Sequence, residues 1–233
     1  MISVCMALYN GEKFLREQIE SVLRELSAED ELIISDDFSA DGSLALLRSF
    51  GDSRLRILEN TSRLGPVYNA ERAVQAARGD FIFLCDQDDI WLSGKVKACL
   101  QALATADLVL HDAYILNGGE RETETLFQKR KVRRGFWQNI LRNSYTGCCM
   151  AFRRRVAERV LPFPPKIPMH DQWIGLLAEK EFHVEFVCKP FIEYRIHGGN
   201  FTQTVSGNRH SLRKKILWRI RLIKNILQRI KRR

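Results

Sequence analysis

The chain has 233 residues, 45% of them hydrophobic, and a formal net charge of +9. This length allows one α/β domain with a sizeable core, or such a domain with an appendage, and argues against two full domains. No stretch approaches the roughly 18 to 20 apolar residues that span a bilayer, and the start "MISVC" lacks the basic segment of a secretory signal. We therefore expect a cytoplasmic protein.

The six cysteines agree with a reducing compartment. Cys5, Cys85 and Cys188 lie in apolar runs, where a thiol packs as a small hydrophobic group. Cys148 and Cys149 have no cysteine or histidine nearby at a metal-ligand spacing. They are predicted to be core or loop thiols.

Strands and helices alternate over the first 92 residues. The apolar runs are "ISVCMAL", "ELIIS", "LRILE" and "FIFLC", and between them lie the helically periodic segments "GEKFLREQIESVL", "SLALLRSFG" and "VYNAERAVQAARG". This alternation predicts a mostly parallel sheet flanked by helices. Ligands of such sheets bind beyond the carboxyl ends of the strands. Three of these strands end in polar pairs or triplets: Tyr9-Asn10, Asp36-Asp37 and Asp86-Gln87-Asp88.

The pattern is less regular in residues 93–208. "KVKACLQALATA" predicts a helix and "DLVLHDAYIL" a strand, whereas residues 118–134 are polar and predict a mobile loop. "GFWQNILRN", "TGCCMAFRR" and "DQWIGLLAEKE" predict further short elements, and "HVEFVCKPFIEYRIH" predicts a final pair of strands. We expect one domain over residues 1–208, with a regular first half at 1–92 and a less regular second half at 93–208.

The excess positive charge lies at the carboxyl terminus. Residues 209–233 hold eleven basic and no acidic residues, so the first 208 carry 26 basic and 28 acidic residues, a net charge of −2. Apolar residues recur there at steps of three and four: Leu212, Ile216, Ile220, Ile223, Leu227 and Ile230. The spacing predicts a basic amphipathic helix. An anionic membrane is the favoured partner, with Trp218 at the interface; a helix packed on the domain and a homodimer contact are the alternatives, and nucleic acid is disfavoured.

Two carboxylates follow the fourth strand at a spacing that places them on one face. Asp86 and Asp88 are two residues apart in an extended segment, so their side chains point the same way. Such a pair is unfavourable unless a cation or a hydrogen-bond donor compensates it. Mg²⁺ or Mn²⁺ prefers oxygen ligands and suits this arrangement, while a capped turn is the alternative.

Several stretches, taken in order, carry a family resemblance. They are "VCMALYNGEKFLREQIESVL", "IISDDFSADGS", "NTSRLGPVYNAERAVQAARGDFIFLCDQDDIW" and "MHDQW". Over residues 1–204 the chain resembles the family-2 glycosyltransferases of the GT-A fold, an α/β fold with a Rossmann-like sheet. "CDQDDIW" and "YRIHGGNFTQT" are most similar to the bacterial polysaccharide enzymes called rhamnosyltransferase-like.

The resemblance implies an inverting, metal-dependent transfer. The donor would be a UDP- or dTDP-linked sugar, and the acceptor a saccharide or lipid-linked saccharide in cell-surface polysaccharide synthesis, at the cytoplasmic face of the membrane. Asp88 would contact Mn²⁺ or Mg²⁺ directly, Asp86 would bind the ribose or the ion through water, and His197 would complete the metal shell. Asp171 would be the general base that accepts the acceptor's proton; its alternative role is a helix cap.

The resemblance also implies a nucleotide-sugar-binding half at 1–92 and an acceptor-binding half at 93–208, and other positions match the family's donor and acceptor segments. Tyr9 and Asn10 would pack on the nucleotide base, Asp37 would bond the base or ribose, and Asn60, Arg63 and Asn69 would line the nucleotide. The loop near the donor or acceptor sugar would include Gly147, His170 and Trp173; Trp173 is equally suited to a place in the core. Three residues depart from the family pattern: Phe38 stands for the usual Gly, Tyr68 for Arg and His170 for Glu.

Two other functions remain as alternatives. A phosphatase of the haloacid-dehalogenase type also uses a strand followed by D-x-D and Mg²⁺, but there the motif comes early and a Thr or Val follows it. Here Asp89 follows Asp88, after three strand–helix units. A non-catalytic, membrane-recruited nucleotide-binding module would suit the tail, but it would not require four acids at Asp37, Asp86, Asp88 and Asp171.

Overall fold

The structure, a computed structural model, describes residues 1–197 and 212–231. Its strands are β1 (Ile2–Leu8), β2 (Glu31–Asp36), β3 (Leu55–Glu59), β4 (Phe81–Cys85), β5 (Ile90–Trp91), β6 (Leu108–Asn117), β7 (Glu120–Arg121), β8 (Met150–Arg153) and β9 (Val184–Ile196). Its helices are α1 (Glu12–Leu23), α2 (Ser43–Ser49), α3 (Pro66–Ala76), α4 (Lys95–Leu103), α5 (Leu126–Arg130), α6 (Phe136–Leu141), α7 (Arg154–Val160), α8 (His170–Glu181) and α9 (Leu212–Lys231). The strands form one sheet in the order β3-β2-β1-β4-β8-β6-β9-β5, with β7 paired to β6.

The first half has the predicted parallel sheet. β1 pairs in parallel with β2 and β4, and β2 pairs in parallel with β3. These strands are apolar because both faces are covered, and Val4, Ile33 and Phe83 have no exposed surface. The register sets Leu8 beside Asp36 and Met6 beside Cys85. The residues that follow these strands therefore meet at one edge, and the predicted alternation of strands and helices is confirmed.

The second half makes the sheet mixed. β8 enters between β4 and β6 and runs antiparallel to both, whereas β6 and β9 are parallel. The predicted final strand pair is wrong: β9 is one strand whose register with β6 shifts around Asp112. Pro190 has no N–H to donate, and the chain accommodates it by this irregularity rather than by a turn.

The predicted mobile loop at 118–134 is also wrong in part, because it contains β7 and α5. Helix α5 begins at a capping box in which Thr125 and Gln128 each bond the other's backbone N–H. Leu126 is buried beneath it. This short helix is thereby fixed against the sheet.

Helix α9 packs on the domain with a face that coincides only in part with the predicted stripe: of that stripe, Ile223 and Ile230 pack against the core. Leu222 and Ile226, four residues apart, are each 1% exposed. Arg229 donates to the carbonyl oxygens of Arg159 and Leu161 and so ties the end of the helix to α7. From the predicted apolar stripe, Ile216, Ile220 and Leu227 remain exposed, as does Leu217. The helix thus has one apolar face against the protein and a second one in solvent.

The proposed boundary between residues 208 and 209, and the "GGNFTQT" part of the family motif, lie outside the described residues. None of the described helices combines the length and the apolar character needed to cross a bilayer.

Candidate active site

A cavity of about 730 Å³ opens at the carboxyl edge of the parallel strands. Its walls come from both halves of the chain and from α9. Among the residues that line it are nine of the predicted site residues: Tyr9, Asp37, Arg63, Asn69, Asp86, Asp88, Gly147, His170 and Asp171. The structure therefore brings most of the candidate residues around one space.

One end of the cavity carries an aromatic ring, a guanidinium group and a buried carboxylate. The Arg63 guanidinium carbon lies 3.6 Å from the centre of the Tyr9 ring, and its Nε lies 3.8 Å from Oδ2 of Asp37. The Asp37 carboxylate accepts the backbone N–H groups of Leu64 (2.6 Å) and Gly65 (3.0 Å). Asp37 thus fixes the loop that carries Arg63, and the stacked pair presents a flat polar surface to a ligand.

Three asparagines hold the loops around this end. The Asn69 amide donates to the carbonyl oxygens of Ser35 (2.7 Å) and Leu8 (3.2 Å). Asn60 donates to Asp37 and Asn69, and Asn10 accepts the N–H of Ala40. Asn69 lines the cavity, whereas Asn10 and Asn60 lie outside its lining. Asn10 and Asn60 therefore stabilise the loops around the cavity through hydrogen bonds to other residues of the protein.

The acidic centre of the cavity consists of Asp86 and Asp88. Burial, and then the charge of Asp88, raise the pKa of Asp86 to about 6. Oδ2 of Asp88 lies 2.7 Å from Nε2 of His197, whose ring packs on Phe14 at 4.7 Å. Two carboxylates held together, one with a raised pKa, form a site that a divalent cation would relieve. The residues present therefore fit a metal ion.

A second group of possible ligands lies behind the cavity wall. Ligand atoms of Asp86, Asp89 and Cys148 are within 4.8 Å of one another. Burial raises the pKa of the Cys148 thiol, and sulfur is a softer ligand than the oxygens that Mn²⁺ and Mg²⁺ prefer. Asp89 accepts the backbone N–H of Arg195 at 3.0 Å. Because only Asp86 of this group lines the cavity, an ion in contact with a ligand would sit between Asp86 and Asp88.

Asp171 and His170 lie at the start of α8, with Asp171 in its first turn. Burial raises the pKa of Asp171 to about 6, while the N–H of Gln172 donates to its Oδ1 at 2.5 Å. A Cβ on Gly147 would lie 3.1 Å from Nε2 of His170, so only a small residue fits there easily. Burial lowers the pKa of His170, which keeps the imidazole neutral.

Trp173 is a correction to the predicted site. The side chain has no exposed surface, and its indole N–H donates to the carbonyl oxygen of Val160 at 3.0 Å. It lies two residues after Asp171, on the face of α8 that meets the core. Trp173 is therefore a core residue and does not contact a sugar.

The sequence profile of glycosyl transferase family 2 matches residues 3–161. The chain belongs to glycosyltransferase family 2. The resemblance in the motifs is thus confirmed, and neither alternative, the phosphatase or the non-catalytic module, finds support.

This family-2 chain is similar to two bacterial glycosyltransferases. The E. coli UDP-Glc:alpha-D-GlcNAc-diphosphoundecaprenol beta-1,3-glucosyltransferase WfgD is 25% identical over 200 residues, 82% of this chain and 76% of that protein. The dTDP-rhamnosyl transferase RfbG of Shigella flexneri is 24% identical over 210 residues, 84% of this chain and 72% of that protein. Both are similar over most of their length.

Solved structures show the same fold. The S. aureus TarS 1-349 structure in complex with UDP-GlcNAc superposes with a TM-score of 0.72 at 16% identity. The match covers 98% of this chain and 66% of that one, so this family-2 chain spans about two thirds of its length. The GT-A fold predicted from the motifs is therefore confirmed.

Sequence reasoning missed part of the cavity of this glycosyltransferase. Arg130, Arg142 and Arg219 line it, together with Trp218 and Leu222. Arg130 is the last residue of α5, in the segment that was expected to be a mobile loop. Trp218, Arg219 and Leu222 belong to α9. None carries a local motif, because each reaches the cavity only through long-range packing.

Proposed function

We propose that the chain is an inverting, metal-dependent transferase that moves a sugar from a nucleoside-diphosphate sugar to a saccharide or lipid-linked saccharide. One observation supports this most: the Asp86–Asp88 pair, the general-base candidate Asp171 and the Tyr9–Arg63 surface all line one cavity. The space of about 730 Å³ is within the range of small-molecule sites.

The donor would lie with its base at the Tyr9–Arg63 end. The aromatic ring and the guanidinium offer stacking to a base, and the backbone around Asp37 offers polar contacts. UDP and dTDP are the favoured nucleotides, since the names of WfgD and RfbG carry UDP-glucose and a dTDP-linked sugar, and TarS binds UDP-GlcNAc.

Asp86 and Asp88 would hold Mn²⁺ or Mg²⁺, with His197 at the edge of the shell. A bound divalent ion supplies charge neutralisation for the diphosphate that leaves. Asp88 is oriented by the 2.7 Å contact with His197. Burial and then the neighbouring charge of Asp88 raise the pKa of Asp86, and a bound cation would offset that charge.

Asp171 would accept the proton of the acceptor hydroxyl. As that oxygen forms a bond to the anomeric carbon, the bond from this carbon to the diphosphate breaks and the proton moves to the carboxylate. A single displacement of this kind inverts the anomeric configuration. Gly147 leaves room for His170 beside the base, and the neutral imidazole adds no positive charge that would lower the basicity of Asp171.

Calorimetric titration of UDP, dTDP and GDP, with and without Mn²⁺, tests the donor site. We expect metal-dependent binding of UDP or dTDP and weaker binding of GDP. Absence of binding for all three nucleotides in the presence of Mn²⁺ would contradict the proposed function, because a transferase of this type must hold its donor.

We also propose that the chain acts at the cytoplasmic face of a bacterial membrane, against which α9 rests. The solvent face of α9 alternates apolar Ile216, Ile220 and Leu227 with basic Arg221 and Lys224. Apolar side chains among basic ones suit an anionic lipid surface. The diphosphoundecaprenol acceptor in the name of WfgD also points to a lipid-linked substrate.

Substitution of Ile220 by Ser is expected to weaken binding to vesicles of phosphatidylcholine and phosphatidylglycerol by about tenfold, since one buried Ile contributes roughly 1.5–3 kcal/mol. Co-sedimentation measures the change. Phe38→Ser is the matched control, because Phe38 is 57% and Ile220 58% exposed. Equal binding of the wild type to neutral and anionic vesicles, or no effect of Ile220→Ser, would contradict this location.

A further inference from the structure

Part of the cavity wall is basic. Arg130, Arg142 and Arg219 all line it, and Arg219 comes from α9. We propose that these three arginines form a subsite for a phosphate or diphosphate group attached to the acceptor sugar. The inference rests on the proposed function, which places the acceptor in this cavity. It gives α9 a role in binding substrate in addition to its proposed contact with the membrane.

The arginines keep hydrogen-bond donors available for a ligand. Arg130 donates from Nη1 to the Thr146 hydroxyl, while its buried Nε has no hydrogen-bond partner within the described residues. Arg219 donates from Nε to the carbonyl oxygen of Ile140 and from Nη2 to that of Leu141. A guanidinium has five N–H donors, so each of these side chains can still bind an oxyanion.

Charge also favours an anion here. Within residues 1–197 and 212–231, no carboxylate forms an ion pair with Arg130, Arg142 or Arg219. The Arg142 side chain has no hydrogen-bond partner in that same part of the chain. Arginines gathered around a cavity repel one another, and a bound phosphate would relieve the repulsion. Arg130 bonds the hydroxyl of Thr146, and a Cβ on the next residue, Gly147, would lie 3.9 Å from Cβ of Asp171, so the subsite is near the proposed base.

The wall next to the arginines is apolar. Ile140 and Leu222 are buried there, and Leu141 lines the cavity with 65% of its surface exposed. Trp218 also lines the cavity. A ligand with a charged head and an apolar chain fits such a wall, whereas a free inorganic phosphate would use only the arginines. The geometry therefore favours a phosphate that links a sugar to a lipid.

Farnesyl diphosphate is the probe for this subsite, with farnesol and inorganic pyrophosphate as comparisons. The titrations are made on the full chain in EDTA, so that metal-dependent binding at Asp86 and Asp88 does not contribute. We expect farnesyl diphosphate to bind more tightly than either comparison, and Arg142→Gln to weaken it by about tenfold, the effect of one charge-assisted hydrogen bond. Arg219→Gln should act in the same direction.

Arg221→Gln is the matched control, because Arg221 is exposed on the same helix as Arg219 and does not line the cavity. Farnesol binding as tightly as farnesyl diphosphate, or equal losses in Arg142→Gln and Arg221→Gln, would overturn the subsite. Pyrophosphate binding as tightly as farnesyl diphosphate, with loss in Arg142→Gln, would support the anion subsite and assign it to a phosphate without a lipid.

The outcome is separable from that of the donor site. Arg142→Gln should leave UDP binding in Mn²⁺ unchanged. If no nucleotide binds but farnesyl diphosphate binds and depends on Arg142, the subsite stands and the proposed function fails. If UDP binds with Mn²⁺ but farnesyl diphosphate does not bind, the proposed function stands and the subsite fails.

Discussion

Asp171→Asn is expected to lower the turnover number by about 10²- to 10⁴-fold, the usual contribution of a general base. The amide has the same shape as the carboxylate and can still accept the N–H of Gln172. It cannot take the proton of the acceptor hydroxyl. Release of UDP or dTDP from the donor sugar, measured with a saturating acceptor, gives the rate.

Binding and stability separate a catalytic role from a structural one. The donor should bind Asp171→Asn with an unchanged Kd. The pKa of Asp171 is raised to about 6, so at pH 7 the folded protein holds the carboxylate ionised against the effect of burial. Removing that charge should therefore leave the melting temperature equal or higher. A lower melting temperature with weaker donor binding would assign Asp171 to the fold instead.

The pKa of Asp171 also predicts how the reaction rate changes at acidic pH. The carboxylate of Asp171 is a base only when deprotonated, and its pKa is raised to about 6. The rate at saturating Mn²⁺ and donor should therefore fall as the pH drops through about 6. The residual rate of Asp171→Asn should lack this decline. An identical decline in the variant would place the titration at another group.

Asp88→Asn is expected to weaken Mn²⁺-dependent binding of UDP by about 100-fold or more, since an amide replaces an anionic metal ligand. The variant also loses the charge that helps to raise the pKa of Asp86. The amide of the variant keeps an oxygen that can face Nε2 of His197, so the apo protein should melt at the same or a higher temperature at pH 7, because the like-charge repulsion with Asp86 is gone. Calorimetry with and without Mn²⁺, and thermal unfolding without metal, measure the two effects.

Asp89→Asn is the control for Asp88→Asn. Asp89 is the next residue and is buried, but it faces the Cys148 side and accepts the N–H of Arg195, as an amide oxygen also can. We expect metal-dependent UDP binding to persist in it. Loss of that binding in Asp89→Asn with retention in Asp88→Asn would move the ion to the Asp86–Asp89–Cys148 group.

Local sequence patterns predicted the first half of the fold well. The apolar runs that became β1, β2, β3 and β4, and the helices between them, depend on contacts whose spacing repeats along the chain. The second half was harder, because β8 lies between β4 and β6 and joins strands far apart in sequence. No local period encodes such an insertion.

The candidate site divides in the same way. Asp86, Asp88 and Asp171 were found from motifs in which residue type and spacing carry the chemistry. Trp173 was ambiguous, because an aromatic residue one turn into a helix is equally suited to a sugar or to a core. Its burial is decided by how α8 meets α7, a contact between separate segments.

The sequence by itself determined the family, the parallel half of the sheet, the acids at its edge and the amphipathic, basic nature of the tail. Only the tertiary structure decided which face of α9 packs, and that Arg219 joins Arg130 and Arg142 around the cavity. The physical reason is that the spacing of apolar residues along a helix shows that an apolar stripe exists but does not show which part of the protein packs against it. The packing depends on the shape of the folded domain, and in this protein it places residues of α9 in the lining of the cavity.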